Sequence, residues 1–124
     1  IAAAKLGAAR LLGTDTDEVA AEIARENLLL NKIDEKRFAV KVASLAEEIN
    51  GRFDIVAANI LSEVILTLLE DVSKVISKNG ILICSGITEK NRSIVEEKMI
   101  SKGFEIIDAQ TSDGWVCIAG KLQA

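Results

Sequence analysis

Apolar runs of strand length alternate with stretches of helical period along this chain. The sharpest alternation lies near its centre, where Phe53-Asp54-Ile55-Val56-Ala57-Ala58-Asn59 runs into Ile60-Leu61. An apolar run ending in a lone Asn, then a helix, predicts a buried parallel strand delivering one polar side chain to a cleft. Open α/β sheets bind ligands outside the carboxyl ends of their strands. Asn59 also suits a plain cap on the following helix, so two roles stand. From about Ser62 to Ile76, one apolar face is traced by Leu61, Val64, Ile65, Leu68, Leu69, Val72, Val75 and Ile76. Glu63, Glu70, Asp71 and Lys74 lie outside it.

The flanking segments continue the alternation. Ile1-Ala2-Ala3-Ala4-Lys5-Leu6-Gly7 reads as the back half of a helix closed by a glycine. With no initiating Met, N-cap or first turn, the chain is expected to be a fragment whose beginning has been removed. Ala9–Thr14 reads as a short strand ending at Asp15. Thr16 or Asp17 then caps a helix running to about Leu30, with Val19, Ile23 and Leu30, plus Ala20 and Ala24, as its inward stripe. Asn31-Lys32 ends that helix, and Phe38–Val42 is a second strand leading into Ser44-Leu45 and a polar segment closed by Asn50-Gly51. Farther on, Asn79-Gly80 turns into the strand Ile81–Cys84, and Thr88 starts a helix ending near Lys102-Gly103. Phe104–Ala109 and Trp115–Gly120 flank Asp113-Gly114, a hairpin signal. The sum is an α/β fold in a single domain. Its sheet is mostly parallel, with helices on both faces and a C-terminal antiparallel hairpin.

Composition narrows the chemistry. The 124 residues are 49% hydrophobic and 27% charged, which is globular rather than disordered. No apolar run reaches membrane-span length and no stretch reads as a cleaved signal peptide, so no membrane partner is expected and the location is read as cytoplasmic. The chain has no histidine, which disfavours zinc sites and histidine-based triads, and no metal is expected. A net charge of −4 gives no electrostatic footprint for nucleic acid, so direct nucleic-acid binding is not expected either. Cys84 and Cys117 sit inside apolar runs and read as reduced core thiols with no group nearby to activate a thiolate.

Candidate chemistry therefore rests on a few polar residues at strand ends. Asp15 can accept hydrogen bonds from both hydroxyls of an adenosine ribose, a geometry shared by NAD and S-adenosylmethionine sites. Since Thr16 and Asp17 already offer helix caps, Asp15 stands as a spare carboxylate. Ser44 and Leu45 can edge an adenine pocket, or form an ordinary turn with a helix cap. The carboxamide of Asn59 can accept from an amine while donating elsewhere, and it never ionises. Methyl transfer from a sulfonium needs an uncharged nitrogen, and neutralising a lysine at pH 7 costs roughly 4–5 kcal/mol. Burial and a neutral acceptor let a site tolerate that cost without a strong base. Trp115, the lone tryptophan, reads as packing or as part of a lid.

Gly13-Thr14-Asp15-Thr16-Asp17, Phe53 to Leu61, Asn79-Gly80-Ile81-Leu82-Ile83-Cys84-Ser85-Gly86-Ile87 and Gly114-Trp115-Val116 together resemble the ribosomal protein lysine methyltransferases that modify large-subunit protein eleven. The resemblance covers essentially all 124 residues in order. It implies a Rossmann-like class I sheet of seven strands and S-adenosyl-L-methionine as cofactor. The implied substrate is the amino groups of a ribosomal protein, lysine side chains and the N-terminal amine. It matches Asp15 to the ribose-binding acid and Asn59 to the asparagine between cofactor and substrate. Glu18 stands where relatives commonly have Pro, and Lys78-Asn79-Gly80 replaces a Pro-Gly turn. The family's first strand, glycine-rich cofactor loop and substrate-recognition domain would all precede Ile1. The isolated 124 residues are accordingly expected to bind the cofactor weakly or not at all, and to be inactive alone. Three other readings remain open. One is a methyltransferase for RNA or a small molecule, against which the Asn-Ile-Leu strand end argues; the others are a nicotinamide-dependent dehydrogenase and a non-catalytic binding module.

Overall fold

The computed structural model describes residues 1–44, 46 and 49–123. They form two compact units, Ile1–Glu48 and Ile49–Ala124.

The first unit is built around one βαβ element. A short helix α1 (Ala2–Lys5) precedes β1 (Leu11–Asp15), α2 (Glu18–Leu30), a single 3-10 turn (Glu35–Arg37) and β2 (Phe38–Val42). β1 and β2 pair in parallel, from Leu11 opposite Phe38 to Asp15 opposite Val42. Both helices stop as their sequences require. After α1, Ala8 N–H reaches Ala3 C=O and Gly7 N–H reaches Ala4 C=O. After α2, Ile33 N–H reaches Leu28 C=O and Lys32 N–H reaches Leu29 C=O, with Lys32 at φ 60°. These are paired closures that satisfy the last carbonyls of each helix. The second one folds Ile33 back beside Leu28, and with Ala4, Phe38, Leu11 and Val40 they make the unit's core. Arg37 ties the unit together by donating to the carbonyls of Ala4 and Ala8.

The inward stripe expected for α2 is not the packed one. Val19, Ile23 and Leu30 are exposed, and Ala24 with them; the packed side carries Ala21 and Leu28, with Ala20 half-buried. A two-stranded sheet is too narrow to cover a full helical stripe, so only its centre is buried.

The second unit holds β3 (Phe53–Asn59), α3 (Ser62–Asp71), a 3-10 turn (Val72–Lys74), β4 (Ile76–Thr88), another 3-10 turn (Glu89–Asn91), α4 (Arg92–Ser101), β5 (Phe104–Ser112) and β6 (Trp115–Leu122). The sheet order is β3-β4-β6-β5. β3 runs parallel to β4, while β6 is antiparallel to both β4 and β5. One antiparallel strand inserted among parallel ones is what the hairpin signal predicted. Asp113 and Gly114, at φ 51° and 80°, form the two-residue turn. α3 and α4 pack against each other over one face, where Ile65, Leu69, Val72, Leu82, Cys84, Ile87, Val95, Met99, Val116 and Ile118 are buried. Met99 fits because Gly120 lacks a side chain: a Cβ there would lie 2.6 Å from Met99 Cε. Helices on both faces are therefore not found in this unit, since its two α-helices share one.

Three expectations about burial and helix length change in this unit. β3 has the bounds and parallel direction predicted, but it is the edge of the four-stranded sheet rather than a buried strand, and Ile55 is 62% exposed. The apolar face of α3 ends sooner than its period suggests. Leu61 is exposed at the N-cap, the α-helix stops at Asp71, and Ile76 already belongs to β4. Just past this stop, Arg52 braces the chain by donating to the carbonyls of Ser73 and Ile76 at 3.3 and 2.9 Å. Finally, Cys84 is fully buried, whereas Cys117 is half-buried on the other face of the sheet.

Candidate functional site

In the first unit the parallel pairing of β1 and β2 brings their carboxyl ends to one edge. The ladder runs one step past the strands, from Ala43 N–H to Asp15 C=O at 3.0 Å. Asp15 and Ser44 thus stand at the same strand edge, and the structure brings these two predicted residues together. Leu45 lies outside the described residues.

Asp15 is less spare than its sequence context suggests. Asp17 N–H donates to its Oδ1 at 2.9 Å, and Asp17 in turn caps α2 by accepting from Val19 N–H at 3.0 Å. The first contact is an Asx turn that holds the Asp15 carboxylate at the strand end. Among the described residues its second oxygen has no partner, and the side chain is exposed. A carboxylate offers about four lone-pair sites, so an adenosine ribose can still donate both hydroxyls to it. The Asx turn fixes the direction from which it must do so.

In the second unit Asn59 ends β3 opposite Ser85 of β4. The register of β4 against β6 slips just there, from Cys84 opposite Ile118 to Ile87 opposite Val116. Ser85 and Gly86 together face Cys117, a bulge that bends β4 at its carboxyl end. Gly86 adopts φ 79°, and a Cβ on it would lie 2.7 Å from Asn59 Oδ1 and 3.0 Å from the Ile60 carbonyl oxygen. The Asn59 carboxamide therefore rests over the bare Cα of Gly86, a seat that any other residue would fill. Sequence reasoning placed Gly86 inside a motif but gave it no role; its signal was a glycine interrupting an apolar strand.

The capping alternative for Asn59 fails on geometry. The N-cap of α3 is Leu61, with no side-chain cap hydrogen bond. Among the described residues the Asn59 carboxamide has no partner, and it is exposed. A donor and an acceptor are thus presented at the carboxyl ends of two parallel strands, on a bulge that keeps space open beside them. That arrangement can orient an amine and cannot deprotonate one.

Cysteine chemistry does not compete for this role. Burial, with neighbouring Cys117 adding to it, pushes the Cys84 thiol up to about 12, so it stays protonated. Among the described residues no group of three or more Asp, Glu, Cys or His side chains is placed to hold a metal.

Comparison with known proteins shows the family and the fold. The family described as "Ribosomal protein L11 methyltransferase (PrmA)" matches residues 1–123. A ribosomal protein L11 methyltransferase from Desulfosudis oleivorans is 46% identical over 123 residues, covering 98% of this chain and 41% of that protein. The protein of the same description from Clostridium perfringens is 40% identical, covering 99% of this chain and 39% of its own length. The crystal structure of a ribosomal protein L11 methylase from Lactobacillus delbrueckii superposes with a TM-score of 0.93 at 31% identity, over 99% of this chain and 63% of that one. The chain spans about two fifths of the length of these curated relatives.

Proposed function

The chain belongs to the ribosomal protein L11 methyltransferase family, with a Rossmann-like methyltransferase fold, and from that premise we propose that it carries the ribose and amine sites of an S-adenosyl-L-methionine-dependent enzyme. The enzyme methylates amino groups of ribosomal protein L11, lysine side chains and the N-terminal amine, and acts in the cytoplasm. The observation that carries this reading is the unpartnered Asn59 carboxamide seated over Gly86 at the ends of β3 and β4.

The residues present fit the cofactor. Asp15 keeps a carboxylate oxygen without a partner at a parallel strand end, which suits the ribose hydroxyls. Ser44, at the same edge, borders the adenine, a role the sequence also offers to Leu45. The bound cofactor supplies an electrophilic methyl group on a sulfonium. Asn59 accepts a hydrogen bond from the neutral amine, leaving the nitrogen lone pair directed at that methyl group. No residue need act as a strong base, because alignment and a desolvated neutral amine are what an in-line methyl transfer demands. Residues 1 to 124 form a single, partial catalytic domain in this reading, inactive on its own. Asn59-Ile60-Leu61 favours a protein amine over a nucleobase, which sets aside methyl transfer to RNA or a small molecule.

Because the 124 residues are expected to be inactive alone, the test uses them within an enzyme of the full length of the curated relatives, incubated with S-adenosyl-L-methionine and purified ribosomal protein L11 and read by intact mass and peptide mapping. Mass increments of whole methyl groups on lysine or the N-terminal amine are expected. Methylation of ribosomal RNA with none on the protein would overturn the substrate assignment.

A further inference from the structure

The amino-terminal edge of the second unit's sheet, at the far end of β3 and β4 from Asn59, holds a feature that methyl transfer does not use. A concavity of about 430 Å³ opens there, with Arg52, Ser73, Lys78, Lys102 and Gln123 around Leu122. Three cations converge on one opening in a chain whose net charge is −4. Among the described residues no Asp or Glu lines it.

The donors of this concavity are only partly spent. One terminal nitrogen of Arg52 donates to the carbonyls of Ser73 and Ile76, which locks the guanidinium plane in place. Its other terminal nitrogen and Nε have no partner among the described residues. Lys102 gives one bond to Glu70, whose carboxylate is shared with Lys98. Lys78 and the Ser73 hydroxyl make no hydrogen bond or ion pair among the described residues. Gln123 donates to Glu105 at 2.7 Å, turning that carboxylate to its own use. A locked guanidinium fork, two ammonium groups and a hydroxyl match the size and charge of a phosphate better than those of a singly charged carboxylate.

We propose that this concavity is an oxyanion site that takes a phosphate group, at the opposite end of the strands from the methyl-transfer site. The phosphate is carried either on a small oligophosphate or on an RNA strand, and the same donors serve both. The site stands on Arg52, Lys78 and Lys102 and is independent of the roles given to Asp15 and Asn59.

The test is calorimetric titration of the protein with inorganic pyrophosphate and, separately, with a short single-stranded oligoribonucleotide. Saturable binding is expected for at least one of them at about 50 mM salt. If the strand binds through three phosphates, its affinity falls roughly 20-fold between about 50 and 200 mM salt. Lys78→Glu weakens binding at least about tenfold, Lys78→Arg keeps it, and both leave the thermal melt unchanged because Lys78 is exposed and unpaired. Binding of pyrophosphate assigns a small ligand, and binding of the strand alone assigns RNA. Absence of binding by both below about 1 mM would overturn the proposal, as would binding that Lys78→Glu leaves unaltered.

Discussion

Replacing Gly86 with Ala isolates the part of the site that two strands build together. Gly86 sits at φ 79°, where a Cβ costs about 1–2 kcal/mol in backbone conformation alone. The added methyl would then lie 3.0 Å from the Ile60 carbonyl oxygen, a backbone atom that can give only by shifting β3, and 2.7 Å from Asn59 Oδ1. Asn59 is exposed and can rotate away, so the clash is relieved by losing its seat rather than by unfolding. Total destabilisation is therefore about 2–3 kcal/mol, a fall in Tm of roughly 8–24 °C for a unit of this size. Marginal stability of about 5–15 kcal/mol leaves the variant folded at 25 °C. Its kcat/KM for methyl transfer nonetheless drops at least about tenfold, because the amine is no longer aligned. A double-mutant cycle with Asn59→Ala separates the two effects. If Gly86 acts on turnover through Asn59, the double variant is no slower than Asn59→Ala alone. Gly86→Ala with unaltered melt and kcat/KM within twofold of the parent would refute the reasoning, and so would fully additive losses in the cycle.

Three further outcomes follow from the same geometry. Asp15→Asn keeps an oxygen for Asp17 N–H but removes the charge that ribose hydroxyls meet. In an enzyme of the full length of the curated relatives, cofactor affinity by calorimetry should fall about 10- to 100-fold, the worth of hydrogen bonds to a charged group, with little change in melt. Lys102 and Lys98 hold Glu70 at about 2, below its ordinary 4.5. The pairing stabilises the fold above pH 4.5 and is lost as pH falls from 4.5 towards 2. Melts across that range should show a steeper acid limb in the parent than in Glu70→Gln; superimposable limbs would contradict the pairing. Cys84 is fully buried and its thiol stays protonated, while Cys117 is half-buried. Iodoacetamide at pH 8 should label Cys117 first, with Cys84 reacting only on unfolding, as read by peptide mass mapping.

Much of the fold was written in local pattern, and the failures share one physical cause. β2 and β3 fall on the predicted residues because apolar runs bounded by polar turns leave little freedom in where a strand starts. The α2 cap and stop were legible too, since Asp17 and Asn31-Lys32 carry their own hydrogen-bonding chemistry. Burial was not. Val19, Ile23, Leu30, Ile55 and Leu61 are apolar at positions where sequence expects a covered face, and in these units they are exposed. Periodicity reports which side of an element is apolar, whereas burial depends on what packs against it.

The site was half legible for a related reason. Asp15 and Asn59 stood out as lone polar residues at strand ends, which is a one-dimensional signal. The Asx turn on Asp15 and the Gly86 seat under Asn59 depend on pairings across 2 and 27 positions, and on a bulge that no composition rule locates. Arg52 illustrates the same limit at the other end of β3, where it donates to carbonyls just past a helix formed some 20 residues later.

The role of Asn59 is tested most directly by the rate of methyl transfer to ribosomal protein L11 by Asn59→Ala, in an enzyme of the full length of the curated relatives. Asn59 caps no helix and bonds to no described residue, so its removal should leave the melt unaltered. A loss in kcat of about 100-fold is expected, equal to ~2.7 kcal/mol of transition-state alignment, with cofactor affinity changed far less. A kcat within threefold of the parent would contradict it.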